Sequence, residues 1–287
     1  MRVRTDEARV LLFAPPLVGG GGAQQARTFR SLLAAGCDLF SFCYVGHGRS
    51  TGRFSPEASL DDTAAALEMA AEAAAREGLP LRGVAACYAA IPLLHAAARL
   101  GEPLGRIALV NAILDIAPGE AIRSFLRYYA EIRRAGDRRP RLDDALRRYV
   151  DFMFPGVVKD RYGFGTLQRR RTRLMKTLRD ALASSPLAGV RLERTPALCL
   201  YGREDRILRV FGEGAGPAYE ESVRRVLPGV RFARLAGDHF LSGAETRSAA
   251  RALLLEFLAP PASIPRPPFA ASVENSTGPH QSLTFRE

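Results

Sequence analysis

Residues 82–94 read RGVAACYAAIPLL, and this stretch decides the fold class. Apolar residues of strand length at 83–86 lead into helical spacing at 88–100. Small residues stand two positions before Cys87 and two and three positions after it. A nucleophile on a strained turn from strand to helix needs small neighbours there, because bulky ones would clash with the adjoining elements. The pattern predicts such a turn at Cys87, with alanine where glycine is usual.

Strand-like and helix-like segments alternate on both sides of this turn. Apolar runs of strand length cover 10–16, 38–44, 107–112, 197–201 and 230–235, and helical spacing covers 23–35, 55–77 and 245–258. Strands that are separated by helices pair in parallel through right-handed crossovers, with helices on both faces of the sheet. The sequence therefore predicts an α/β fold with a mostly parallel, doubly wound sheet.

Residues 116–190 interrupt this alternation with arginine-rich, helix-like sequence and no convincing strand. An insertion between two core strands lies over the carboxyl edge of the sheet, where open α/β folds bind ligands. We therefore predict a helical lid at 116–190 and a core formed by 1–115 and 191–258. The tail at 259–287 is rich in proline and poor in large apolar residues, so we expect it to be disordered.

The lid segment holds 17 basic and 8 acidic residues and so carries nine of the eleven net positive charges. Such a concentrated field attracts an acidic partner, although a solvated arginine-rich surface is an alternative interpretation. Candidate partner contacts are Arg169, Arg170, Arg171 and Arg173. This basic run has no interleaved aromatic residues or recognised motif, so we do not expect it to bind nucleic acid.

Several classes of protein are not expected from the composition. The apolar runs are too short to span a membrane, and the charged N-terminus does not resemble a signal peptide, which favours a cytoplasmic protein. The four cysteines have no paired C-x-x-C spacing, which argues against a zinc site and a disulfide framework. The glycine run at 19–22 lacks the Lys and Ser/Thr of a phosphate-binding loop, so no cofactor is predicted.

Two further residues complete a catalytic pattern. Asp205 follows the strand at 197–201 in the loop GREDRIL, and His239 follows the next strand in the loop AGDHFLSG. Nucleophile, then acid, then histidine is the chain order of the α/β-hydrolase triad. Asp115 is an alternative acid after the 107–112 strand, and Asp238 is adjacent to the histidine. The alternative interpretation is that Asp205 and His239 are ordinary polar loop residues without a catalytic role.

The chain resembles the α/β-hydrolase superfamily over about residues 8–258, apart from the insertion. The stretch YVGHGRSTG at 44–52 is similar to a turn that these proteins carry after an early strand, usually with a preceding Asp-x-Arg. In this sequence Cys43 and Val45 occupy the positions of that Asp and Arg. The combination of AACYAA, YGREDRIL and GDHFL most resembles luminescence-type acyl transferases, which are thioesterases that act on acyl carrier protein.

The nucleophile departs from that family, which has serine at the position of Cys87. Cysteine at this position resembles a second group with this fold, the cysteine-dependent acyl and aminoacyl shuttles of nonribosomal peptide pathways. These resemblances imply acyl transfer or thioester hydrolysis on an acyl or peptidyl carrier protein, although a small molecule could also be the acyl acceptor. A small-molecule cysteine hydrolase of the dienelactone-hydrolase kind and a non-catalytic interaction protein remain alternatives.

The expected roles follow from the triad. His239 would deprotonate Cys87 and later protonate the leaving thiol, while Asp205 orients the imidazole and stabilises its cationic form. The oxyanion would be bound by the backbone N–H of Tyr88 and by one from Leu17 or Val18. The prolines before Leu17 have no N–H to donate.

Overall fold

A mostly parallel sheet organises the protein. The computed structural model describes residues 1–5, 8–17, 20–48, 50–52, 54–114, 120–134, 136, 141, 144–145, 148, 187–205, 208, 215–260 and 272–274. The strands in these ranges are β1 Arg2–Arg4, β2 Val10–Phe13, β3 Cys37–Phe40, β4 Leu81–Ala86, β5 Ile107–Val110, β6 Ala197–Gly202, β7 Val230–Leu235 and β8 Ser272–Glu274. The helices are α1 Gly22–Thr28, α2 Arg30–Ala34, α3 Pro56–Glu77, α4 Ala90–Arg99, α5 Glu120–Arg134, α6 Pro217–Val226 and α7 Ala244–Leu258.

The strands lie in the order β7-β6-β5-β4-β2-β3-β1-β8. Strand β2 pairs in parallel with β3 and β4, and the parallel pairing continues from β4 through β5 and β6 to β7. Only the β1 end of the described sheet is antiparallel, to β3 on one side and β8 on the other. The carboxyl ends of β2 to β7 therefore lie along one edge of the sheet, where α/β folds bind their ligands.

Both faces of the sheet are covered, as the alternation of side chains along β2 shows. Leu11 and Phe13 belong to a core that includes residues of α3, α4 and α6, whereas Val10 and Leu12 belong to a second core with residues of α2 and α7. All four side chains are completely buried. Successive residues of a strand point to opposite faces, so both faces of β2 must be apolar. The predicted doubly wound architecture is confirmed.

Helix α3 has clear start and stop signals in the sequence. The Ser55 hydroxyl oxygen accepts a hydrogen bond from the Ala58 backbone N–H at 3.1 Å, and a proline occupies the first helical position. Gly78 ends the helix in the left-handed conformation, with φ 63°. Glycine adopts this conformation without the Cβ clash of other residues, which makes it a common helix terminator.

Two predicted elements are shorter in the structure. The helix expected at 23–35 is interrupted at Phe29, whose φ of −102° and ψ of 21° lie outside the helical range, and whose buried ring packs in the core with α2. The strand expected at 38–44 ends at Phe40. There the chain leaves the parallel ladder, because the Ser41 N–H donates to the Met1 carbonyl and its hydroxyl to the Ala14 carbonyl.

Residues 272–274 of the tail form strand β8 against β1, and the expectation that the tail is disordered stays a prediction. An edge strand such as β1 presents backbone N–H and C=O groups that an extended segment can pair with. Three residues are too few for a recognisable strand pattern in the sequence. The rest of the predicted tail beyond residue 260 lies outside the described residues.

Helix α5 begins the insertion at 116–190, most of which lies outside the described residues, so its role as a lid stays a prediction. None of the helices described combines the length and the hydropathy that crossing a membrane requires. Nor do the described side chains include a group of three histidine, cysteine or carboxylate residues suited to a metal ion.

Candidate active site

The turn between β4 and α4 places Cys87 at the carboxyl edge of the sheet. Residues Cys87–Ala89 form one turn of 3-10 helix before α4 begins. Cys87 has a φ of 50°, in the left-handed region that costs a residue with a side chain about 1–2 kcal/mol. Ala85 and Ala89 on either side are buried, so the turn is packed between small side chains as the sequence predicts.

His239 and Asp205 are joined by a short hydrogen bond. His239 Nδ1 lies 2.7 Å from Asp205 Oδ2, and the Asp205 side chain is completely buried. The other carboxylate oxygen accepts the Leu208 backbone N–H at 3.0 Å, and the Asp205 N–H donates to the Gly202 carbonyl at 3.2 Å. These bonds orient the carboxylate toward the imidazole from a fixed loop.

Cys87 is the second partner of the His239 ring. Burial lowers the pKa of His239, but hydrogen bonds to Asp205 and Cys87 and the charges of both groups raise it to about 10. Because Nδ1 is used by Asp205, Nε2 is the ring nitrogen left for the sulfur. The structure thus brings together three residues predicted from separate parts of the sequence, and both neighbours of the imidazole favour its protonated form.

The two alternative acids differ in position. The Asp238 carboxylate accepts hydrogen bonds from the Phe240 N–H and from the N–H and hydroxyl of Ser242, so it braces its own loop. Asp115 lies outside the described residues. The contact at 2.7 Å therefore favours Asp205 as the partner of His239.

The other described histidines lie in different surroundings. His47 is buried after β3, where its ring packs edge-on against the ring of Phe54 at 4.8 Å. His95 is on helix α4, and burial lowers its pKa. His280 lies outside the described residues. Among the described histidines, His239 is the one that interacts with Cys87.

All four cysteines are free thiols. Burial raises the pKa of Cys37 and of Cys199 to about 12, as expected of core thiols. Cys43 is half-buried, and its sulfur lies beside the backbone of Gly21 and Gly48, where an added Cβ would approach to 3.2 Å. Cys87 differs from these three in having an imidazole partner.

The described candidates for the oxyanion donors follow two neighbouring strands. Leu17 follows β2 and packs against the core, Tyr88 follows Cys87, and β2 pairs directly with β4. The Tyr88 hydroxyl forms a hydrogen bond of 2.9 Å with the Ser59 hydroxyl of α3, and burial raises the pKa of Tyr88 to about 12. Val18 lies outside the described residues, as do the predicted partner contacts Arg169, Arg170, Arg171 and Arg173.

The sequence analysis overlooks Asn111, which directly follows β5. Its side chain is 2% exposed and forms hydrogen bonds to the loops that carry Asp205 and His239. A polar residue at the carboxyl end of a buried parallel strand is the signal that also identifies Asp205 and His239. Applied to the strand at 107–112, the same criterion would have identified Asn111.

Phe240 places an apolar surface at the same site. Its ring is 58% exposed and meets the His239 ring edge-on, with centroids 5.4 Å apart. The site therefore offers an apolar surface next to the imidazole.

No protein-family model matches the sequence, and no curated protein does. Solved structures do match. A hydrolase from Pseudomonas aeruginosa PA01 is 19% identical, with 90% of this chain and 94% of that chain covered and a TM-score of 0.54. A soluble variant of monoglyceride lipase from Saccharomyces cerevisiae is 15% identical over 90% of each chain, with a TM-score of 0.56. The 2-hydroxy-6-oxo-6-phenylhexa-2,4-dienoate hydrolase from Rhodococcus sp. strain RHA1 is 15% identical, with 87% of this chain and 90% of that chain covered and a TM-score of 0.52.

Proposed function

Because the chain has the α/β-hydrolase fold, we propose that it is an enzyme that transfers acyl groups through a thioester formed on Cys87. The observation that supports this most directly is the hydrogen bond of 2.7 Å between His239 and Asp205, together with the interaction of the same imidazole with Cys87. A cysteine in left-handed backbone carries strain that glycine would avoid, so its presence next to an imidazole supports a functional role. We therefore assign the strain at Cys87 to catalysis.

In the first half of the reaction, the Cys87 thiolate attacks the carbonyl carbon of the acyl donor. The proton of the thiol is held by His239, whose cationic form is stabilised by the buried Asp205 carboxylate. The negative charge on the carbonyl oxygen is met by the backbone N–H groups of Tyr88 and Leu17. The bond to the leaving thiol then breaks, the leaving sulfur takes the proton from His239, and the acyl group remains on Cys87.

In the second half, an acceptor attacks the acyl group on Cys87. His239 removes the proton of the acceptor, and the Cys87 sulfur leaves as the thiolate beside the imidazolium. With water as the acceptor the protein is a thioesterase, and with another thiol, an alcohol or an amine it is an acyltransferase. Cysteine favours transfer, because exchange of one thioester for another is nearly balanced in energy whereas a serine ester is more stable than its thioester donor.

The proposed donor is an acyl or peptidyl carrier protein. The support for it is the sequence of the insertion at 116–190, which concentrates nine net positive charges on one segment. Carrier proteins of this kind are acidic, and opposite charges raise the rate of encounter. A small-molecule acyl acceptor is compatible with the same chemistry.

Hydrolysis of a small-molecule ester is the second candidate. The names of the hydrolase and lipase structures favour it, and so does the exposed Phe240 ring, which suits an apolar acyl or leaving group. A non-catalytic interaction protein is disfavoured by the buried Asp205 and by its short hydrogen bond to His239, because burying such a pair without function destabilises a fold.

The deciding experiment is intact-protein mass spectrometry after incubation with a panel of acyl carrier proteins and small thioesters. We expect a mass increase that equals the acyl group, and we expect Cys87→Ala to abolish it. Cys199→Ala removes an equally small thiol from the buried core and is the matched control that keeps the adduct. An adduct that persists in Cys87→Ala would disprove the assignment of the nucleophile.

The histidine is tested in the same assay. His239→Ala should slow adduct formation by orders of magnitude, because the proton of the thiol then has no acceptor. His95→Gln replaces a histidine on helix α4 and serves as the control with an unchanged rate. If His239→Ala reacts as fast as the unmodified protein, the proposed mechanism is wrong.

A further inference from the structure

The side chain of Asn111 connects the two loops that carry the acid and the base. Its Nδ2 donates to the His239 carbonyl oxygen at 2.6 Å, and its Oδ1 accepts the Gly202 backbone N–H at 2.8 Å. Gly202 ends strand β6, and its own carbonyl accepts the Asp205 N–H. One buried amide therefore sets the separation between the His239 loop and the Asp205 loop.

The backbone after β5 also reaches the nucleophile. The Ile113 N–H donates to the Cys87 carbonyl at 3.1 Å, and the Asn111 N–H donates to the Leu200 carbonyl of β6 at 2.8 Å. The Ala112 carbonyl accepts the Tyr219 hydroxyl at 2.9 Å. Residues 111–113 are thus bonded to each of the three loops that meet at the site.

The chemistry of these contacts calls for an amide. One side must donate to a carbonyl and the other must accept an N–H, and the asparagine side chain does both from two separate atoms without charge. A carboxylate would place an acceptor against the His239 carbonyl. Asparagine also tolerates the left-handed backbone found at Asn111, where φ is 45°.

We propose that Asn111 is a positioning residue, which holds His239 and Asp205 in register with each other and with Cys87. The proposal rests on the proposed function for its catalytic meaning, although the geometry it describes can be measured without substrate. Asn111 itself contacts neither the sulfur nor the imidazole ring in any described hydrogen bond, so it acts through the loops. Removing the amide should leave the three side chains present but misaligned.

Two variants distinguish the contribution of the Asn111 side-chain amide from that of the left-handed backbone at this position. Asn111→Gly keeps the left-handed conformation, which glycine adopts readily, and removes both side-chain hydrogen bonds. Asn111→Asp keeps the size and the acceptor and removes the donor. We expect the acylation rate constant to fall on the order of 10²-fold in Asn111→Gly, as for misplacement of a reacting group by about 1 Å, with a much smaller change in KM.

The pH profile gives a second readout. In Asn111→Asp the rate relative to the unmodified protein should rise as the pH falls, because a protonated carboxyl can again donate to the His239 carbonyl. Asn111→Gly has no such group, so its relative rate should not change with pH. If the role of Asn111 were purely structural, the relative rates of both variants would be lowered by the same factor at every pH.

The third readout is NMR of the His239 ring, which needs no substrate. The Nδ1 proton that bonds to Asp205 should give a downfield signal in the unmodified protein, and this signal should weaken in Asn111→Gly as the His239 pKa falls. Thr195→Val is the matched control, since it removes another buried loop contact, a hydrogen bond of 2.9 Å to Glu102 before β6. This control should leave the signal and the pKa unchanged at a comparable loss of thermal stability.

The two proposals fail separately. If Asn111→Gly keeps the His239 signal and pKa of the unmodified protein, the positioning role is wrong even where Cys87 forms an acyl adduct. If the unmodified protein forms no adduct with any donor, the proposed function fails, and a lowered His239 pKa in Asn111→Gly still supports the positioning role.

Discussion

The backbone of Gly202 packs against the carbonyl oxygen of Gly237 with no room between them for a Cβ atom. Gly202 is the last residue of β6, three positions before Asp205, and Gly237 lies two positions before His239. The Glu204 N–H also donates to the Gly237 carbonyl at 3.0 Å. The acid and base loops are therefore in direct backbone contact, which brings Asp205 and His239 within hydrogen-bonding distance.

The first prediction tests this contact with Gly202→Ala. The added methyl group would overlap the backbone of the His239 loop, and overpacking of this kind costs about 1–3 kcal/mol. We expect a lower free energy of unfolding in denaturant titrations and a slower reaction of Cys87 with acyl donors. Gly229→Ala is the control, because position 229 is exposed and an added Cβ meets nothing within 4 Å. Equal stability of the two variants would contradict the packing described.

The second prediction compares hydrolysis with transfer in Cys87→Ser. A serine ester is more stable than a thioester, so return of the acyl group to a thiol becomes unfavourable while attack by water still proceeds. We expect transfer to fall more than hydrolysis when both products are quantified from one acyl donor. An equal loss of the two activities would remove the argument that cysteine is present for transfer.

The third prediction concerns the pH dependence of stability. Because the His239 pKa is raised to about 10 in the folded protein from about 6.5, folding is favoured by a proton on the imidazole. This contribution is complete below about pH 6.5 and is lost as the pH rises through about 10. Asp205→Asn removes the carboxylate that stabilises the cation. The stability difference between the two proteins should therefore be largest at pH 5–6 and should shrink toward pH 10.

Unfolding in denaturant at intervals of one pH unit measures this difference, and NMR titration of His239 reports the pKa directly. Other titrating groups are the same in both proteins, so their effects cancel in the comparison. A stability difference that grows from pH 6 to pH 10 would have the wrong sign for a raised histidine pKa.

The fourth prediction tests the charged insertion with salt. At about 0.15 M ionic strength the Debye length is about 8 Å, so steering by arginines weakens further as salt is added. The apparent second-order rate with an acyl carrier protein should drop steeply, and charge reversal at Arg169, Arg170, Arg171 and Arg173 should reproduce the drop. An uncharged small thioester is the control and should show neither effect. If both substrates respond alike, the arginines are a solvated surface and the small-molecule hydrolase becomes the better assignment.

Much of the fold could be predicted because each parallel strand carries its own pattern. A run such as IALV at Ile107–Val110 is buried on both faces and is therefore apolar throughout. Strand β1 has no such pattern, since the sequence of Arg2–Arg4 is charged and its pairing depends on β3 and on the distant β8. The break at Phe29 was not predicted because its ring packs against the core, a tertiary contact that helical spacing does not reveal.

The candidate site also contains residues that could be predicted from the sequence and one whose role could not. Cys87, Asp205 and His239 could be predicted because each stands in the turn or loop after a recognisable strand, in an order specific to one fold. The position of Asn111 after a strand is visible in the sequence, but its link to Gly202 and His239 could be found only once the strand order was known, because these partners are 91 and 128 positions away. Strand order is set by crossovers that no local pattern specifies. The sequence can therefore mark such a residue as a candidate but cannot show which loops it joins.

The left-handed backbone at Cys87 also predicts the outcome of a selection that ignores activity. Glycine relieves the clash that every other residue suffers at such a position, at a gain of about 1 kcal/mol. A library of variants selected only for thermal resistance should therefore enrich glycine at position 87, although cysteine is what the chain carries. Positions where the present residue and the most stabilising residue disagree mark candidate functional sites before any substrate is known, and position 87 is among those that such a screen should identify here.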